Sequence, residues 1–260
     1  MSQQVLKVQQ MGDALEFEGA DTSFIKNYFR LDDDLPKIIS EISRDRIIKQ
    51  AIQTFHGLRI ARQNPWECLI SYICATYKNI PAIKQMILEL SKRFGDKTVF
   101  DNYDFYTFPK PDALTEASHN ELDRCKLGFR AKWVLEVAKL VDSNRVDFEE
   151  LKKASYEEAK GELLKLPGIG NKVADCVLLF SLDKLEAFPV DVWMRRVVQE
   201  HYATHFEASF IDKLSRSTTL SSKDYRRIGS FARDYFGSFA GYAQEYLFHF
   251  ARSKVAKVSI

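Results

Sequence analysis

Residues 155–181 spell two helices around a turn of fixed length, and no other part of the chain limits the fold as tightly. Ser155 can cap a helix, and Glu158 three residues on completes a capping box. The helix opened there runs to Lys165 and stops at Leu166-Pro167-Gly168-Ile169-Gly170, and a second begins near Asn171. Two glycines let the backbone turn sharply and lie close against another molecule. Amides ahead of the second helix have no partner inside it. They and the helix dipole make a site for an anion such as a DNA phosphate. Leu166 and Ile169 are expected to anchor the turn in the core. On its own, the same pattern describes an ordinary helix–turn–helix corner ended by glycine.

The remainder reads as helical almost throughout. Asp32, Asp33 and Asp34 lead into LPKIISEIS, where Pro36 suits a first helical turn. Asn64-Pro65 opens PWECLISYICATY, apolar at helical spacing and hence a buried helix. The same spacing marks 81–94, 131–141, 192–202, 223–235 and 239–252. Strands are expected only in VLKVQQMGDALEFEG, as one hairpin turning at Gly12-Asp13. Loops fall at Pro109-Lys110-Pro111 and in the Ser/Thr-rich stretch 215–222. The fold class is mainly α, two helical lobes with the helix-hairpin-helix at 156–181 and a cleft between the lobes. The expected organisation is a short extension over 1–22, a first lobe from 23–62 with 190–260, and a second lobe over 63–189.

Composition narrows the function classes. The 260 residues are 45% hydrophobic, enough for one large domain or two small ones. No apolar run approaches the roughly 20 residues a bilayer span needs, and MSQQVLKVQQMGD lacks a secretory core. An intracellular monomer with no membrane partner is expected, acting in the cytoplasm or nucleoid, or in a nucleus. With 38 basic and 36 acidic residues, contact with nucleic acid must come from local grouping of charge. Cys68, Cys74, Cys125 and Cys176 form no CxxC pair and have no histidine at zinc spacing, so free thiols in a reducing compartment are expected and no side-chain metal site.

Two polar residues stand out against this helical background. Lys172 lies in the first turn of the second hairpin helix, where a cation opposes the helix dipole at a cost of a few tenths of a kcal/mol. An uncharged lysine amine is a nucleophile. Asp191, in PVDVWMRR, precedes another helical pattern and is placed to cap it. Taken singly, they are a surface lysine and a helix cap.

Read together, LPGIGNKVADC and FPVDV resemble the helix-hairpin-helix DNA glycosylases, the 8-oxoguanine DNA glycosylase branch in particular. NPWECLISYICATYKNI, LGFRAKWV at 127–134 and FGSFAGYAQEYLF at 236–248 match the same branch, so the resemblance runs from about residue 24 to 252. It implies that Lys172 is the nucleophile on the anomeric carbon and Asp191 the carboxylate that stabilises the developing positive charge. It places Cys176, Gln244 and Phe248 around the extruded base. It makes Phe129 a wedge in the stack and sets Arg130 against the orphaned partner base. Asn79, Gly168, Gly170 and Trp193 fall at DNA-contacting positions. The partner implied is duplex DNA carrying a damaged purine. No cofactor is required, and a potassium or sodium ion on hairpin carbonyls is typical of the fold.

Four departures from the branch bear on specificity. Trp193 stands where the eukaryotic enzymes have histidine, and Tyr77 replaces an asparagine in a helix-end turn. Ala82 replaces an arginine that reads the opposite cytosine, so a looser opposite-base preference is expected. The N-terminal sheet domain is expected to be nearly absent. Competing readings are a glycosylase for other damaged purines, against which Lys172 argues, and a helix-hairpin-helix module that binds DNA without cutting it.

Overall fold

A computed structural model describes residues 5–256. The expected hairpin forms at its expected turn: β1 (Lys7–Met11) pairs antiparallel with β2 (Ala14–Glu18), Val8 facing Phe17 across Gly12-Asp13. Helices follow as α1 (Thr22–Tyr28), α2 (Leu35–Ile42), α3 (Arg46–Thr54), α4 (Pro65–Cys74) and α5 (Ile80–Phe94). After a second hairpin, β3 (Lys97–Phe100) and β4 (Tyr103–Tyr106), the chain continues through α6 (Pro111–Thr115), α7 (His119–Arg124), α8 (Arg130–Asp142), α9 (Phe148–Lys153) and α10 (Tyr156–Leu163). It ends with α11 (Asn171–Ser181), α12 (Val192–His201), α13 (Ala208–Arg216), α14 (Ser222–Phe236) and α15 (Ala240–Ala256).

The helix starts are written in the sequence. Asp34 accepts from the Lys37 N–H with Pro36 in the first turn, and Asn64 accepts from the Glu67 N–H with Pro65 beside it. Ser155 and Glu158 make the expected capping box. Each such cap contributes about 1 kcal/mol. The second hairpin corrects the expectation that strands end at residue 20. Asp101 and Asn102 at its turn have φ of +53° and +64°, the pair of left-handed residues that matches strand twist in a two-residue turn. Val99, Tyr103 and Phe105 are exposed, so no buried face imposes an alternation that could be read beforehand.

Helix α11 is the axis of the core. Every residue from Val173 to Leu179 is buried, and the helix packs on α4, α10 and α14. The start of α15 crosses its far end so closely that a Cβ on Gly241 would stand 2.2 Å from Leu179 Cδ1, and the Gly241 N–H donates to the Leu185 carbonyl at 2.8 Å. Just past α11, Asp183 gathers the Arg30 guanidinium, Arg62 Nε at 2.7 Å and Lys152 Nζ at 2.9 Å. Burial alone would raise its carboxyl, but the Arg62 and Lys152 hydrogen bonds and the Arg30 charge hold it at about 2. The N-terminal helices are thereby pinned to the end of α11, which fixes the frame in which Lys172 sits.

Candidate active site

Two helix starts place Lys172 and Asp191 near enough for their charges to interact. Asp191 caps α12, its Oδ1 accepting from the N–H groups of Trp193 at 2.8 Å and Met194 at 2.9 Å. Burial raises its carboxyl above the ordinary aspartate value, against the opposing pull of the Met194 N–H, the Lys172 charge, the Trp193 N–H and the Arg252 charge. The capping expectation therefore holds, and the same carboxylate feels the lysine charge. Lys172 Nζ lies 4.9 Å from the centre of the Tyr72 ring, and that ring stacks on Phe180 at 5.7 Å.

Cys176 follows one turn after Lys172 and is 3% exposed. Burial pushes its thiol up to about 12 despite the Lys172 charge, so it remains a neutral S–H and not a competing nucleophile. Helix α15 borders the same place: Glu245 acts on both Cys176 and Tyr72, and Arg252 acts on Asp191. On that helix Gln244 is 4% exposed, and its Oε1 has no hydrogen-bond partner. An unmatched buried amide oxygen costs about 1–3 kcal/mol, a cost that an N–H brought in by a ligand would remove. Phe248 is half-buried one turn on, with the Arg252 guanidinium 5.2 Å from its ring.

A network beneath the floor holds these pieces in register. The Val190 N–H, one residue before Asp191, donates to the Tyr225 hydroxyl at 3.1 Å. Tyr225 donates in turn to Asp175 Oδ2 at 2.7 Å, and Asp175 lies on α11 between Lys172 and Cys176. Asp175 also accepts from Tyr156 at 2.8 Å and pairs with Lys160 at 2.9 Å.

The expected DNA-contacting residues divide into two groups. Phe129, 56% exposed, precedes α8 and packs edge-on against Trp133 at 5.1 Å. Gly168 turns the hairpin at φ +78°, and a Cβ there would stand 2.4 Å from Trp133 Cδ2. Gly170 caps α11, and a Cβ on it would meet nothing within 4 Å. Asn79 is exposed and caps α5 through its side-chain oxygen, accepting from the Ala82 N–H at 3.1 Å. Trp193 is half-buried under the Arg196 guanidinium at 5.0 Å.

Arg130 requires a correction. It is 2% exposed, and its donors are occupied by backbone: Nε and Nη2 reach the Thr76 carbonyl, the first at 3.1 Å, and Nη1 reaches Leu127 at 3.2 Å. A guanidinium so engaged is not offered to an orphaned base. Its motif LGFR places it beside the exposed Phe129, but spacing alone does not reveal that the Thr76 turn would claim it.

The hairpin glycines predict a paired outcome. Gly168→Ala forces both a left-handed backbone and a clash with Trp133, and the strain of the first alone is of order 1–3 kcal/mol. Its melting temperature should drop by several degrees, at about 2–4 °C per kcal/mol, and DNA affinity should fall with it. Gly170→Ala should keep the melting temperature and still weaken DNA binding, because the methyl group occupies the ground a phosphate would approach. Calorimetry and a binding titration on the two variants separate the cases.

Two hairpin helices with a lysine at the head of the second, and an aspartate capping the next helix, are the arrangement expected of a helix-hairpin-helix DNA glycosylase. Comparisons with known proteins agree. A family model described as 8-oxoguanine DNA glycosylase, N-terminal domain, matches residues 3–69. The probable N-glycosylase/DNA lyase of Methanothermobacter thermautotrophicus is 31% identical over 80% of this chain and 68% of its own length. The N-glycosylase/DNA lyase of Saccharomyces cerevisiae is 30% identical over 94% and 70%. The 8-oxoguanine glycosylase/lyase of Clostridium acetobutylicum, solved in complex with duplex DNA containing cytosine opposite 8-oxoG, superposes with a TM-score of 0.83 at 32% identity, over 96% of this chain and 82% of that one. The chain belongs to the 8-oxoguanine DNA glycosylase family of N-glycosylase/DNA lyases. The N-terminal match spans hairpin β1–β2, helices α1–α3 and the first half of α4, and among its described residues it holds one two-stranded sheet.

Three neighbours of the site escaped the sequence reading. Tyr72 sits four residues after Cys68 in a helix otherwise read as uniform core. Arg252 stands four after Phe248, and Glu245 beside Gln244, all on one helix. For Tyr72 and Arg252 the four-residue spacing is the only signal.

Proposed function

We propose that the protein is a bifunctional base-excision enzyme that removes 8-oxoguanine from duplex DNA and then cuts the strand. The observation that carries this is the electrostatic coupling of Lys172, Asp191 and Cys176, beside the helix that carries Gln244 and Phe248. The hairpin amides around Gly168 and Gly170 grip a backbone phosphate, and the damaged nucleotide swings out of the stack at a cost of a few kcal/mol. Its base lies between Phe248 and Cys176, and the unmatched Gln244 oxygen accepts from the base edge. We place the substrate cleft between a first lobe, 23–62 with the described part of 190–260, and a second lobe, 63–189.

The lysine nitrogen bonds to C1′ as the bond from C1′ to the base breaks, and the departing base takes up a proton. Asp191 stabilises the positive charge that develops on the sugar. Opening of the ring gives an imine between Lys172 and C1′. Loss of a proton from C2′ then expels the 3′ phosphate, and water releases the enzyme. Among the described residues no group of histidine, cysteine or acidic side chains is arranged to hold a metal ion. A potassium or sodium ion held by hairpin carbonyls would steady the turn against its phosphate. No described helix is long and apolar enough to cross a membrane.

A panel of duplexes bearing different lesions and opposite bases tests the reading, with base release and strand cleavage scored separately. Release should be fastest from 8-oxoguanine, with cleavage following 3′ to the site. Binding to every duplex without release of any base would leave only the DNA-binding module.

A further inference from the structure

We infer that Tyr77 stacks on the base left unpaired when the damaged nucleotide swings out, acting with Phe129 as an aromatic pair; this rests on the glycosylase reading above. Tyr77 is 85% exposed, the most exposed of the chain's large hydrophobic residues described here. It stands at φ +53°, a backbone region that bulky residues seldom enter. A solvent-exposed aromatic in a strained turn gains nothing from folding alone, so what holds it there is informative.

The holding group is Arg130. Its guanidinium donates twice to the Thr76 carbonyl, directly before Tyr77, and once to the Leu127 carbonyl, while lying 4.3 Å over the ring of Phe129. One buried cation thus fixes two exposed aromatics. Phe129 is braced in turn by Trp133, against which the hairpin glycine Gly168 packs. Both rings are therefore mounted on the scaffold that receives the phosphate backbone. Ala82, five positions after Tyr77, offers no side-chain hydrogen bond to a base edge.

Stacking has a distinct consequence for specificity. Every base presents a π-face, so an aromatic ring accepts any of the four, whereas hydrogen bonds to a base edge discriminate. Arg130 is a positioning residue in this arrangement, and opposite-base tolerance follows from Tyr77.

The test uses the full chain and duplexes with 8-oxoguanine opposite each of the four bases, opposite a tetrahydrofuran abasic analogue, and opposite 2-aminopurine. Tyr77→Ala should slow single-turnover base release by about 10-fold or more opposite all four bases, and Tyr77→Phe, which keeps the ring, should recover most of that loss. The defect should vanish opposite the abasic analogue, where no base remains to stack on. Wild-type binding should quench 2-aminopurine fluorescence, and the alanine variant should not. A phenylalanine variant as slow as alanine, or a defect that persists opposite the abasic analogue, overturns the inference. Wild-type quenching without base release would fail the enzymatic reading alone. Wild-type release with an unimpaired alanine variant would fail this inference alone.

Discussion

Lys172→Gln will lose base release and strand cleavage by about 10⁴-fold or more, equivalent to roughly 5.5 kcal/mol of barrier, and will give no covalent adduct when borohydride is added to its complex with lesion DNA. The glutamine keeps the length and packing of the side chain, so the substitution removes the amine and little else. Asp191 remains capped by its two N–H donors and Cys176 remains buried, which leaves the base pocket intact. Lesion-DNA binding should persist, because the hairpin amides and the exposed aromatics are untouched. Gel analysis of the borohydride-treated wild-type complex supplies the positive control. Base release retained without an adduct would reassign the nucleophile to water and reduce Lys172 to an electrostatic role. Adduct formation by the variant would place the Schiff base on another amine altogether.

The parts of this molecule that could be read from its sequence are those that depend on neighbours along the chain. Capping at Ser155, Asn64 and Asp191, the early Pro36, and the Gly168 turn are all fixed within four residues. The approach of Lys172 to Asp191 is different. It depends on Phe188–Val190 being drawn under Tyr225, a contact 35 positions away, and local spacing says nothing of it. Only the family pattern linked the two beforehand. The burial of Arg130 is hidden from local spacing for the same reason, since its partner carbonyl lies 54 residues earlier. The second hairpin lacks a buried face, so no period marks it. Gln244 could be named, but not that its oxygen would be sealed in without a partner; that depends on every helix packed around it.

Removing the Asp175 carboxylate should cost more stability than any other single change discussed. Asp175 is fully buried and accepts from Tyr156, Tyr225 and Lys160, itself only 7% exposed. Asp175→Leu strands that ammonium among two phenols that burial keeps firmly protonated. Leaving one partner of a buried pair uncompensated costs about 3–5 kcal/mol, which for a chain this size lowers the melting temperature by about 6–20 °C. Adding Lys160→Met should restore the part owed to the stranded ammonium, since an apolar pair of similar volume often matches a buried ion pair, while the two phenols still lack their acceptor. Activity should not return with it. Tyr225 would keep its bond from the Val190 N–H but lose the acceptor that ties it to α11, so the segment leading to Asp191 would no longer be locked to the helix bearing Lys172. The double variant should melt above Asp175→Leu and bind lesion DNA, yet release base more slowly. Full recovery of both melting temperature and rate would mean that the network serves folding alone and that packing by itself aligns the lysine with the aspartate.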